Sequence, residues 1–374
     1  MTMTKHCLTL KLQRGMTLVE LLVAMTIGIF LTGGVIALFL GTKQSYNMNE
    51  QLARVQESGR FALDVLTREI RQTGYIGTCS SVSSLLDKNA SGYTDDRYCL
   101  GEKHDCLAAQ NQRTAIRGWD GVDQADPNFD VYNETGYIPN TDAIFIKHAA
   151  DFSGLTPSDG NTVPVTETLK LNQANITKNG AIYLVVGGND CFLFQNLASD
   201  DAKRISTQGS TTKQPKNSDP LNISVVDPDD LADPNDYYSP EIFRFSSYFY
   251  YIGTGSDGSI GLRERSFNNG HPTSVRPADE ELIAGVIDMQ ITYLVENATS
   301  YVSANSLTAT DWPNVTAIRI SLLVQNNDPN SANMMDQAMS VPFLTNAGTL
   351  FVPTDRRYYQ VLTTTIALRN RQQQ

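Results

Sequence analysis

The chain has 374 residues, with 40 Asp and Glu against 29 Lys and Arg and a formal net charge of −11. That acid excess argues against direct nucleic-acid binding, because phosphate contact needs a basic surface. The length suits one large domain or two modest ones.

Residues 1–15 form a short basic leader with Lys5, Lys11 and Arg14 and no acid, so the chain without them carries −14 instead of −11. Residues 21–40 then contain no charged side chain. A helix of about 20 residues is about 30 Å long, enough to cross a bilayer's hydrocarbon core. One carboxylate, Glu20, stands at the head of this run. A charge costs on the order of 2–3 kcal/mol or more near a membrane centre and less near its edge. An ordinary secretory signal places its apolar core before the cut. Here Gly15 precedes the core.

Residues 16 to about 73 read as one long helix. Gly28, Gly33, Gly34 and Gly41 interrupt its apolar half, and small residues let membrane helices approach closely. From Ser45 the pattern turns amphipathic. Leu52, Val55, Ala62, Leu66 and Ile70 form one apolar stripe, which needs a sheet in the same chain to bury against. Glu50–Arg54, Arg60–Asp64 and Asp64–Arg68 read as opposite-sign pairs on the outer face. Gly74 reads as the helix stop.

Cys7 lies in the leader, and Cys79, Cys99, Cys106 and Cys191 follow it. In an oxidising compartment four cysteines favour disulfides, with three pairings open. A metal at Cys99, His104 and Cys106 finds no common zinc spacing here. Residues 80–141 read as disulfide-tied loops with short elements, anchored by Trp119 and Tyr137. Residues 142–147, 181–186 and 191–194 read as strands, the last two joined by a turn at 187–190. Residues 196–240 read as a polar insertion with a mobile middle, 207–219. Its acidic run, 227–236, lacks calcium-loop spacing and reads as a solvated loop. The last third is the clearest β region. Phe243, Phe245, Phe249 and Tyr251 share one face of a strand. Residues 253–258 turn, and 260–267 return. Ile287, Met289, Ile291, Tyr293 and Val295 alternate, as do Ile318, Ile320, Leu322 and Val324. Residues 358–368 close the sheet.

Gly15-Met16-Thr17-Leu18-Val19-Glu20 before an apolar helix resembles the class III signal of type IV prepilins and type II secretion pseudopilins. The resemblance implies a cut between Gly15 and Met16 by a prepilin peptidase, which also methylates the new amino terminus. Glu20 is then the fifth mature residue, whose implied role in subunit assembly is to pair with a neighbouring subunit's ammonium. Met16 departs from the family's usual Phe at that position. Residues 60–79, from Arg60-Phe61-Ala62-Leu63 to Gly74-Tyr75 and Cys79, resemble the PilW family of minor pilins. So do residues 285–293, 319–324 and 365–370. The implied plan has a removed leader (1–15), an N-terminal helix (16–74, with 16–40 for membrane and assembly) and a pilin head (75–374). The implied fold is α+β, a long helix packed on an antiparallel sheet head with disulfide-tied loops. In a packed filament, Gly33-Gly34 marks a place for the helix to loosen.

No catalytic constellation stands out. The histidines His6, His104, His148 and His271 fall in no hydrolase or metal motif. Residues 253–258 are glycine-rich but join two strands, and a phosphate cradle needs a helix N-terminus. The expectation is a structural subunit, not an enzyme, with no cofactor and no metal. Its implied partners are the prepilin peptidase, other minor pilins, the major pilin and a tip adhesin. The implied location is the inner membrane before assembly, with the N-terminus cytoplasmic and the head periplasmic, and the extracellular pilus afterwards. The implied function is priming filament assembly near the tip, in support of adhesion, twitching motility and DNA uptake. The alternatives are a large minor pseudopilin and a membrane-anchored periplasmic binding protein or enzyme.

Overall fold

The structure is a computed structural model. It describes residues 16–90, 93, 95–100, 114–121, 136–158, 165–173, 177–187, 190–223, 240–269, 271–272, 279–326 and 340–368. The leader with Gly15, Cys106, His104, the turn positions 188–189 and the acidic run 227–236 lie outside the described residues. By contacts the chain forms two units, residues 1–53 and 54–374.

Helix α1 spans Leu18–Gln72 and belongs to both units. After it come β1 (Ser83–Ser84), a one-turn helix α2 (Asp95–Tyr98), β2 (Ile116–Trp119) and β3 (Ala143–Phe152). Next are β4 (Val165–Thr166), β5 (Thr168–Lys170), β6 (Ile182–Gly187), β7 (Asp190–Gln195), β8 (Arg204–Ser206), β9 (Lys213–Gln214) and β10 (Asn222–Ile223). The chain closes with β11 (Glu241–Thr254), β12 (Ile260–Ser266), β13 (His271–Pro272), β14 (Asp279–Ala284), β15 (Val286–Val295), β16 (Val315–Gln325) and β17 (Tyr359–Ala367).

Within the head, β11 organises the larger sheet. It is 14 residues long, and residues 243–250 pair with β3 along one edge. The other edge is shared: β6 takes residues 241–244 and β12 takes 248–254. β7 and β1 extend the sheet beyond β6, β14 lies beyond β12, and β2 lies beyond β3. All these pairs are antiparallel except β1–β7, a short parallel pair that departs from the expected all-antiparallel sheet. A second, three-stranded antiparallel sheet runs β15-β16-β17. Short ribbons β4–β10, β5–β8 and β9–β13 complete the head.

Three larger cores and a small fourth one follow from the alternation of side chains along these strands. The largest joins Val55, Ala62, Leu66 and Ile70 of α1 to Ile291, Tyr293, Ile318, Ile320, Leu322, Val324 and Ile366 of the small sheet. It also takes Ile144, Ile146, Tyr250 and Ile252 from the large sheet. From Val55 onward the apolar stripe of the helix thus buries on strands of its own chain; Leu52 is only half-buried. The opposite face of β11 carries Phe243, Phe245, Phe249 and Tyr251, as their spacing predicts, into a second, aromatic core with Phe145, Trp119 and Tyr137. A third core lies under the short ribbons, around Val185, Phe194, Ile205, Leu221 and Ile223.

Two further expectations need correction. Ile287 does not share a face with Met289. The register slips between Val286 and Asp288, a bulge that puts one extra residue in β15. Val286 therefore joins Met289 and Ile291 in the main core, and Ile287 packs on the opposite side with Leu323 and Val341. The second correction concerns residues 207–219, which are closely bonded. Asn217 exchanges two hydrogen bonds with the Gln195 backbone, of 2.8 Å each. The Gln195 side chain accepts from Lys216 N at 2.8 Å, and Thr207 Oγ1 accepts from Leu221 N at 2.9 Å. Polar side chains here do what a strand ladder does elsewhere, so low apolar content does not leave the backbone groups unsatisfied.

Candidate functional site

The candidate site is the start of α1. Thr17 precedes the first helical residue, and Glu20 stands three positions on. Glu20 Oε2 accepts from Thr17 N and from Thr17 Oγ1, each at 2.9 Å, and Thr17 Oγ1 accepts from Glu20 N at 3.2 Å. This is a reciprocal capping box, with a Thr cap and a Glu at the third helical position. It satisfies helix-end donors that have no intrahelical partner and puts an acid at the positive end of the helix dipole. The Thr-x-x-Glu spacing is itself a local sequence signal for such a cap.

Beyond the cap, the side chains from Leu18 to Leu40 are exposed all round; Phe30 reaches 83% and Leu38 74%. Glycines 28, 33, 34 and 41 have open space where a Cβ would stand. The helix is continuous through Gly33-Gly34. Its hydroxyls are satisfied internally: Thr32 Oγ1 donates to Gly28 O at 2.7 Å and Thr42 Oγ1 to Leu38 O at 2.8 Å. That is the arrangement hydrocarbon demands of polar groups on a helix. This helix is long and apolar enough to cross a membrane.

The other end of α1 is held by a polar pair. His148 on β3 is fully buried, and its Nε2 lies 3.0 Å from Glu69 Oε2. His148 Nδ1 accepts from Ala150 N at 3.4 Å, which suits the tautomer with the proton on Nε2. Arg68, expected to pair with Asp64, places its guanidinium 3.1 Å from Glu69 Oε1 instead. Burial pushes the Glu69 carboxyl up, but His148 and Arg68 pull harder and hold it below the usual carboxylate range. Gly74, at φ 78°, ends the helix and donates its N–H to Lys147 O at 2.9 Å.

Cys79 and Cys191 are disulfide-bonded, tying the segment after α1 to β7 across 112 residues. Cys99 is disulfide-bonded as well. Among the described residues no group of three or more His, Cys, Asp or Glu is placed to hold a metal. Residues 253–258 form a hairpin between β11 and β12, with Gly255 N donating to Ser259 O at 2.7 Å.

Two family matches place these features. Residues 249–370 match the family described as Type IV Pilus-assembly protein W. Residues 10–36 match the prokaryotic N-terminal methylation motif. The first range runs from β11 to β17 and includes the whole small sheet under α1. The second contains Gly15, Met16 and the Thr17–Glu20 cap. The segment 60–79 lies outside both. No curated protein and no solved structure matches the chain. The motif and the long apolar helix together point to membrane anchoring and pilus incorporation.

Proposed function

The two matches support a PilW-type pilin, and on that premise we propose that the chain is a minor pilin of the type IV pilus. A prepilin peptidase removes residues 1–15 and methylates the amino group of Met16. The basic leader keeps the N-terminus on the cytoplasmic side, and the head lies in the periplasm. The subunit then joins other minor pilins and the major pilin at or near the filament tip. There it primes assembly, carries a tip adhesin, and supports adhesion, twitching motility and DNA uptake. A pilin is a structural protein, and no enzymatic role is proposed.

The observation that carries this reading is the state of Glu20. It is the lone carboxylate of an otherwise uncharged apolar span, and two Thr17 donors already hold it. Before assembly these bonds lower the cost of keeping a carboxylate at the head of a membrane helix. On assembly the amino terminus of a neighbour supplies a full positive charge, and pairing relieves the desolvation of both groups. Glu20→Ala should still be cleaved by the peptidase but should be lost from sheared pili; normal incorporation would remove Glu20 from the mechanism. A minor pseudopilin of type II secretion shares the leader and helix. The match of residues 249–370 favours the pilus.

A further inference from the structure

A cavity of about 500 Å³ lies between the outer face of the small sheet and the loop at residues 342–348. That is within the range of small-ligand sites. Cross-strand register lays out its floor. Gln290, Ser321 and Thr363 stand in one row across β15, β16 and β17, and Thr292 and Arg319 stand in the next. The wall loop is clasped in place. Asn346 Nδ2 donates to Asn140 O and to Asp142 Oδ1, each at 2.9 Å, and Thr345 N donates to Thr349 O at 2.9 Å.

Arg319 is the cation of this floor. Its guanidinium lies over the Tyr301 ring at 4.1 Å, which holds the planar fork flat. Among the described residues no carboxylate lies within ion-pair distance of it. Of the two acids at the cavity, Asp142 is already engaged by Ile291 N, Gly121 N and Asn346 Nδ2. The second acid is Asp120; the rest of the polar lining is hydroxyl and amide, and Leu344 and Val361 supply apolar surface.

We propose that this cavity binds a sugar acid of the hexuronic type. The carboxylate takes the Arg319 fork, the ring hydroxyls meet the threonine and serine hydroxyls, and the C–H face rests on Leu344 and Val361. An acidic peptide fits the floor less well. The β16 backbone is hydrogen-bonded on both edges, to β15 and to β17. The floor therefore offers side-chain hydroxyls and no free backbone groups to an extended chain. The net charge of −11 repels anions at long range, but that repulsion is screened beyond about 8 Å at physiological salt. This site stands independently of the assembly role.

The test is titration of the detergent-solubilised full chain with sodium glucuronate, with glucose and the peptide Gly-Gly-Glu as comparison probes. The expected result is saturable glucuronate binding, weaker glucose binding, and a loss of at least about tenfold for Arg319→Gln. Thr292→Val, in the same floor row, should also weaken it and serves if Arg319→Gln does not fold. Absence of saturable binding at millimolar glucuronate overturns the proposal. So does binding that neither substitution weakens, or tighter binding of the acidic peptide than of glucuronate.

Discussion

Gly285 sits where the chain passes from the large sheet to the small one, between β14 and β15. Its φ is 91°, and a Cβ there would stand 2.5 Å from Gln325 O. Positive φ is strained for any other residue, and this contact is to backbone, which does not move aside as a flexible side chain does. Gly285→Ala should therefore lower head stability by about 1–3 kcal/mol, read as a fall in the urea midpoint with the slope unchanged. The Glu69–His148 pair makes a second case at this scale. His148→Phe leaves the Glu69 carboxylate without its buried donor and should cost about 1–3 kcal/mol. Because Glu69 is held below the usual carboxylate range, its contribution is complete above that range and fades as pH falls through the depressed value. Glu69→Gln should accordingly flatten the acid side of a stability–pH curve; an acid side as steep as that of the unaltered chain would contradict the pairing.

Elements meet most tightly at Asp142. It precedes β3 and accepts hydrogen bonds from Gly121 N after β2, Ile291 N on β15 and Asn346 Nδ2 in the wall loop. Burial pushes its carboxyl up to about 8, outweighing these donors, which pull it down. The folded state thus favours the protonated form, while the unfolded chain is ionised above about 4. Stability from this group is full below the ordinary carboxylate range and is lost as pH rises through about 8. Thermal unfolding between pH 4 and pH 8 should show that decline, and Asp142→Asn should shrink it, leaving the part that Asp288, raised by burial to about 7, contributes. None of this clasp was legible in the sequence, because its partners come from segments up to 204 residues apart. Strands with strict alternation were legible: Ile318, Ile320, Leu322 and Val324 all reach the main core. The helix stripe was legible for the same reason, since a 3.6-residue period is a local signal. The side taken by Ile287 is not legible, because a single bulge reverses the period-two pattern. The order of residues 207–219 is not legible either, because it comes from side-chain amides such as those of Gln195 and Asn217 and not from apolar content. At the candidate site the capping pair was local and readable, whereas the Glu69–His148 contact spans 79 residues and was not.

At the scale of the molecule, two units answer to two environments. The first carries an exposed apolar helix with one capped carboxylate. The second is a β-rich head closed by the Cys79–Cys191 bond over 112 residues. A loop of that size gives a disulfide on the order of 4–5 kcal/mol in the chain-entropy picture. Reduction should lower the unfolding midpoint of the head without changing incorporation signals in the helix. As a processed pilus subunit, the chain should carry its cut N-terminus into the filament. The most direct measurement is the N-terminal sequence and intact mass of the protein recovered from sheared surface filaments. A chain beginning at methylated Met16 in the filament fraction is the predicted result. A chain that keeps residues 1–15 and is found only in membranes would contradict it.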